Sequence, residues 1–132
     1  MNAEDLVRHA IEARENAYAP YSRYKVGAAV LTESGRVFTG CNVENASFGL
    51  TVCAERNAMF KAVSEGERVL AAVAVVAEDG ASMCGACRQV LTEFGGGAAV
   101  YLADPTGRFS ETTLNRLLPG AFDGGKLKRE EE

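Results

Sequence analysis

The chain holds 132 residues, 47% of them apolar and 24% charged, the balance of one soluble globular domain rather than of a disordered or fibrous segment. The net charge is −4 and the 14 basic residues are scattered, which argues against a nucleic-acid groove and for a small-molecule partner. No apolar run reaches the roughly 20 residues that cross a bilayer, and the acidic start Met1-Asn2-Ala3-Glu4-Asp5 lacks the basic and apolar stretches of a signal peptide, so a cytoplasmic protein with no membrane partner is expected.

Residues 5–17 carry Leu6, Val7, Ala10, Ile11, Ala13 and Ala17 at helical spacing, with Asn2 as the predicted cap and the acids Glu4 and Asp5 in the first turn. His9, the single histidine, falls on this helix and reads as a surface or boundary residue. The helix stops before Pro20. Two strands over 24–32 and 36–40, joined by Glu33-Ser34-Gly35, predict a β-hairpin. A second helix over 53–65 puts Ala54, Ala58, Met59, Ala62 and Val63 on one side and ends at Gly66. The run 69–77 is apolar throughout, as expected of a strand covered on both faces. A third helix over 84–94 ends at Gly95-Gly96-Gly97, and a further buried strand covers 98–103. After the turn Asp104-Pro105-Thr106-Gly107 come a short strand at 108–110 and a last helix at 112–118. The order predicts an α/β fold: a three-layer α-β-α sandwich around a mixed, roughly five-stranded sheet. Residues 1–132 read as one domain, with 123–132 an exposed tail or a segment at a subunit interface. The charge run in that tail, Lys126 to Glu132, mixes signs and reads as solvated.

Four cysteines occur: Cys41, Cys53, Cys84 and Cys87. Without an export signal they are metal ligands or buried thiols rather than disulfides. Cys84-Gly85-Ala86-Cys87 is a C-x-x-C pair, which alone admits zinc, redox or structural readings. Cys53 and Cys84 both stand at the start of a predicted helix, where unpaired N–H groups and the positive dipole end favour a thiolate. Three thiolates on two helix starts would hold a zinc ion with its fourth position open, as catalytic rather than structural zinc requires. Glu55, two residues after Cys53, is then placed to move a proton near that position without ligating the metal. Three thiolates and one zinc ion sum to a charge of −1. Arg56 is placed to offset it by donating to the sulfurs; the alternative is an ordinary surface arginine on the helix.

With these residues on view, the chain resembles the zinc-dependent deaminases, and within them the short, three-cysteine cytidine deaminases. The resemblance is carried in order by Tyr18-Ala19-Pro20-Tyr21-Ser22, Val26-Gly27-Ala28-Ala29, Gly40-Cys41-Asn42-Val43-Glu44-Asn45, Cys53-Ala54-Glu55-Arg56, Cys84-Gly85-Ala86-Cys87-Arg88-Gln89-Val90 and Leu117-Leu118-Pro119-Gly120-Ala121-Phe122. It spans about residues 4 to 122; each motif is weak alone, and the ordered set is specific.

The resemblance implies one zinc ion per subunit on Cys53, Cys84 and Cys87, with Glu55 shuttling protons. It implies hydrolytic deamination of cytidine and 2′-deoxycytidine in pyrimidine salvage by a homotetramer with composite active sites. Asn42 and Glu44 match positions that hold the ribose hydroxyls. One residue apart on an extended segment, an amide and a carboxylate project to one side and suit a sugar diol; the alternative is a pair of turn residues capping the loop. Ala54 and Tyr24 match positions at the pyrimidine, Tyr24 replacing a usual phenylalanine. Phe48 and Phe122 match aromatics lent to neighbouring subunits; otherwise they would be core aromatics. Cys41 matches the family as a non-ligand and reads as a buried small side chain. Met83 departs from the family, which has proline before the first cysteine of the pair, and leaves that turn less constrained.

Three other readings compete: a sibling deaminase of an aminonucleoside antibiotic such as blasticidin S or of a free base, a non-catalytic structural zinc module with Cys41 as fourth ligand, and a thiol redox protein using Cys84 and Cys87.

Overall fold

The apolar run in the middle of the chain becomes the central strand of a five-stranded sheet. The computed structural model describes residues 1–127. Its elements are α1 (Ala3–Arg14), β1 (Val26–Thr32), β2 (Val37–Cys41), α2 (Ala54–Ser64), β3 (Leu70–Ala77), α3 (Gly85–Gly95), β4 (Ala99–Ala103), β5 (Phe109–Thr113) and the single turn α4 (Leu114–Leu117). Short 3-10 turns lie at Phe48–Leu50 and Gly124–Lys126. The strand order is β2-β1-β3-β4-β5. Only β3 and β4 pair in parallel; β1 with β2, β1 with β3, and β4 with β5 are antiparallel. The parallel pair is the one joined through a helix, as a crossover connection demands.

The continuous hydrophobicity of β3 follows from burial on both faces. Ala72, Ala74 and Val76 point to one side and pack with Leu6, Val7 and Ala10 of α1. Val73 and Val75 point to the other and pack with Ala58, Met59 and Ala62 of α2 and Cys87 and Leu91 of α3. The result is the expected α-β-α sandwich. Two glycines set how closely the helices approach. A Cβ on Gly27 would lie 2.1 Å from the Ala10 carbonyl oxygen of α1, and one on Gly40 would lie 2.6 Å from both the Ala54 oxygen and the Ala58 nitrogen of α2.

The elements differ from the sequence expectation at their ends, for local reasons. Helix α1 stops at Arg14 rather than residue 17. Asn16 and Ala17 donate to carbonyls three residues back, and Tyr18 then donates across to the Asn42 carbonyl. Strand β1 begins at Val26 rather than Tyr24, because the Tyr24 carbonyl accepts from the Asn42 side chain. The hairpin turn is closed by Thr32 N–H to the Arg36 carbonyl, with Gly35 at φ 93°. β5 is longer than expected and the helix after it shorter. Residues 111–113 extend the ladder with β4, and the Thr113 hydroxyl caps the one remaining turn at the Arg116 N–H, 3.3 Å away. Of the tail 123–132, the Asp123 carboxylate caps its 3-10 turn at the Gly125 N–H; residues 128–132 lie outside the described residues.

Candidate metal centre and substrate pocket

Cys53 and Cys84 are the N-cap residues of α2 and α3, both with extended backbone and neither side chain spent on the cap itself. Cys87 sits in the first turn of α3, fully buried. The three sulfurs lie within 4.8 Å of one another, and the Sγ atoms of Cys53 and Cys84 are 3.8 Å apart. Tetrahedral thiolates at the usual zinc distance of about 2.3 Å are separated by about 3.8 Å, so the donor set fits zinc. Among the described residues, no fourth His, Cys, Asp or Glu joins this group. Cys41 is not part of it, and is half-buried rather than the buried side chain expected from sequence.

The thiols are electrostatically unequal. A hydrogen bond from Cys87 first, then those from Arg56 and Cys84, hold the Cys53 thiol far below its ordinary range. Donation to Cys53 and burial push Cys87 up. Arg56 Nη2 donates to Cys53 Sγ at 3.3 Å, which puts a cation on the cluster and drains charge from the sulfur.

Glu55 is 3% exposed. Burial raises its carboxyl to about 7, between acid and base at neutral pH. Its Oε1 has no hydrogen-bond partner among the described residues, an expense a folded chain rarely tolerates outside a site of reaction. Glu55, Cys53, Cys84 and Ala54 line one cavity of about 270 Å³, shared with Ser22, Tyr24, Asn42, Glu44 and Met83.

The opposite wall is built by hydrogen bonds around Asn42 and Glu44. The Asn42 amide is held between the Tyr24 carbonyl (2.8 Å) and the Val26 N–H (2.9 Å), fixing its orientation. Glu44 Oε1 accepts from the N–H groups of Tyr21 and Ser22, and its Oε2 accepts from the Ser22 hydroxyl. The Ser22 hydroxyl, followed by those N–H groups, holds Glu44 below the usual carboxylate range and so ionised. Arg23, at φ 58° the only described non-glycine with positive φ, lies between Ser22 on Glu44 and Tyr24 on the cavity.

The loop entering α3 is held by Arg88. Its Nε donates to the Met83 carbonyl, its Nη2 to the Ser82 hydroxyl and its Nη1 to the Leu117 carbonyl. Met83 itself is buried, so packing and these bonds restrain a turn in which proline is absent. Ser22, part of the motif Tyr18-Ala19-Pro20-Tyr21-Ser22 but given no role from sequence, and Asp79, which bonds Tyr24, take their place in the site from contacts that cross 22 and 55 positions.

With this geometry in place, comparison with known proteins decides the family. The model for the "Cytidine and deoxycytidylate deaminase zinc-binding region" matches residues 1–103. The chain belongs to this zinc-binding deaminase family. Among relatives, it is 53% identical over 125 residues to the cytidine deaminase of Sporosarcina psychrophila, covering 92% of each chain. It is also 53% identical over 125 residues to that of Halalkalibacterium halodurans, covering 92% of this chain and 95% of the relative. Among solved structures, the cytidine deaminase from Burkholderia pseudomallei superposes with TM-score 0.88 at 50% identity, covering 92% of this chain and all of that one. The family is a zinc-binding one, and the three cysteines of this chain are positioned to hold one metal ion.

Two aromatics singled out from sequence lie apart from the thiol pocket. Phe48, 73% exposed, stacks edge-on against Tyr21 at 5.8 Å and borders an adjoining cavity with Ser22, Glu44 and Thr51. Phe122 is 56% exposed, and its carbonyl accepts from Gln89 Nε2 at 2.8 Å. Neither is a core aromatic of its own subunit. His9 is half-buried on α1, away from the thiols. No helix among the described residues is long and apolar enough to cross a membrane.

Proposed function

We infer that the chain hydrolytically deaminates cytidine and 2′-deoxycytidine, consuming water and releasing ammonia with uridine or 2′-deoxyuridine. The observation that carries this reading is a three-thiol cluster with no fourth side-chain ligand among the described residues, two of whose cysteines, Cys53 and Cys84, line one cavity with a buried glutamate whose Oε1 has no partner among those residues. When bound, zinc would supply Lewis acidity, lowering the pKa of a polarised water towards neutrality.

The chain's own residues do the rest. Cys53, Cys84 and Cys87 hold the ion, and Arg56 withdraws charge from the Cys53 sulfur. Glu55 takes a proton from the attacking water, delivers it to N3 of the cytosine, and helps ammonia leave C4. Its burial keeps the carboxyl poised to be both base and acid. Asn42 and Glu44 receive the ribose hydroxyls, Glu44 as an ionised acceptor and Asn42 through its remaining N–H. Tyr24 and Ala54 border the pyrimidine.

Assays on cytidine, deoxycytidine, cytosine and blasticidin S, each with and without a zinc chelator, test the reading. Turnover of the two nucleosides alone, abolished by chelation, is expected. A free base turned over equally well would remove the role given to Asn42 and Glu44, and turnover of blasticidin S alone would establish the sibling activity instead.

The enzyme acts in the cytoplasm in pyrimidine salvage, as a homotetramer. The exposed aromatics Tyr21, Phe48 and Phe122 support subunit contacts, with Phe48 and Phe122 reaching into neighbouring sites. Light scattering that returned a monomer at assay concentrations would refute the assembly.

A further inference from the structure

Tyr24 grips both walls of the pocket. Its carbonyl accepts from Asn42 Nδ2 at 2.8 Å, its side chain borders the cavity, and its hydroxyl donates to Asp79 Oδ1 at 2.6 Å. Asp79 lies two residues past the end of β3, outside the cavity lining. The same Oδ1 accepts the Ala81 N–H at 3.2 Å, folding the start of the loop that runs through Ser82 and Met83 to Cys84. Arg88 holds the far end of that loop at Ser82 and Met83. The near end is tied across the pocket only through Tyr24, among the described side-chain hydrogen bonds. Asp79 is exposed, so its burial does not call for this bond. Tyr24 is half-buried, and burial and Asp79 together raise its phenol to about 12, which keeps the donating proton in place throughout the neutral range.

We propose that the Tyr24 hydroxyl and Asp79 form a latch that fixes the wall bearing Asn42 at a set distance from the loop bearing Cys84, making both positioning residues for nucleoside binding. Neither need touch the reacting atoms in this role. The latch narrows the spread of pocket widths, so a nucleoside meets a preorganised site and less of its binding energy is lost to ordering the loop. The proposal rests on the deaminase reading for its choice of ligand.

The test uses zinc-loaded protein and four variants: Tyr24→Phe, Asp79→Ala, the double variant and Asp79→Asn. Tyr24→Phe keeps the ring and removes only the donor. Its KM for cytidine is expected to rise about tenfold with kcat within about twofold, the signature of binding lost equally from ground and transition states. Asp79→Ala should match it, and the double variant should be no worse than either single one, because both remove one interaction. Asp79→Asn retains an acceptor oxygen and should recover most of the native KM. An unchanged KM in Tyr24→Phe, additive losses in the double variant, or no recovery in Asp79→Asn would overturn the latch. Hydrogen exchange over residues 79–84 gives a readout independent of turnover. It should quicken in Tyr24→Phe, which leaves the Asp79–Ala81 bond intact, and unchanged exchange would count against the latch. A native protein inert towards cytidine would instead refute the deaminase reading, with the exchange experiment still deciding the latch.

Discussion

At the scale of single residues, the site is organised by what each side chain is denied. Glu55 is denied solvent and, at Oε1, a partner. Asn42 is denied rotation by two backbone bonds. Such deprivation is costly to stability and useful for reaction, because a group held ready pays no reorganisation at the moment of proton transfer. Glu55→Gln should keep the fold and the zinc content while turnover of cytidine falls about 10²- to 10⁴-fold, the range associated with a positioned acid–base group. Initial rates from ultraviolet absorbance, beside zinc analysis of the same sample, measure both; native turnover in this variant would end the role assigned to the residue. The spacing Cys53-Ala54-Glu55-Arg56 made these groups readable because they share one helix start. Ser22 and Asp79 were not readable in this way, since each gains its meaning from a partner far along the chain.

At the scale of elements, helix starts deliver the chemistry and the sheet sets where they stop. The first turn of α2 carries Glu55 and rests on β2 at Gly40, where a side chain has no room. Gly40→Ala should push that turn outwards, with a stability loss of about 1–3 kcal/mol typical of overpacking. A lower urea midpoint together with reduced cytidine turnover is the expected pair of results; an unchanged midpoint would mean that the helix is not seated as described. The β4–β5 turn offers a pH test remote from the metal. Bonds from the Thr106 hydroxyl first, then the Thr106 and Arg108 N–H groups, hold the Asp104 carboxyl below its ordinary value of 3.8. Its contribution is therefore fully present above that value and disappears as the pH falls through the lower, folded-state pKa. Asp104→Asn should melt below the native protein at pH 7, with the gap narrowing as the pH falls below 3.8. A gap that widened in acid would mean that the folded state does not favour the ionised Asp104. The sequence pattern located most elements but misplaced their ends. Ladder pairing drew Thr112 and Thr113 into β5 although the local pattern favoured a helix, and Asn42 halted β1 short of Tyr24.

At the scale of the whole molecule, the three-cysteine cluster joins α2 to α3, two helices that also share side-chain packing over β1, β3 and β4. Zinc held by that cluster would therefore couple to folding stability. Chelation should lower the melting temperature and abolish turnover together, and added zinc should restore both; Cys87→Ser should show the same loss without rescue. A melting curve indifferent to chelation would show that the ion does not link the helices.

The sequence by itself determined the chemistry available: three thiols, a glutamate and an arginine at two helix starts, and a central strand apolar enough to be covered on both sides. Those are properties of composition and short-range spacing, which the residues carry wherever the chain goes. Tertiary structure decided the sulfur separations, the lone Oε1 of Glu55, the exposure of Phe48 and Phe122, and the bond from Tyr24 to Asp79. Each of these depends on how elements distant in sequence pack, and a distance between two helix starts is set by the sheet beneath them rather than by the residues at their ends.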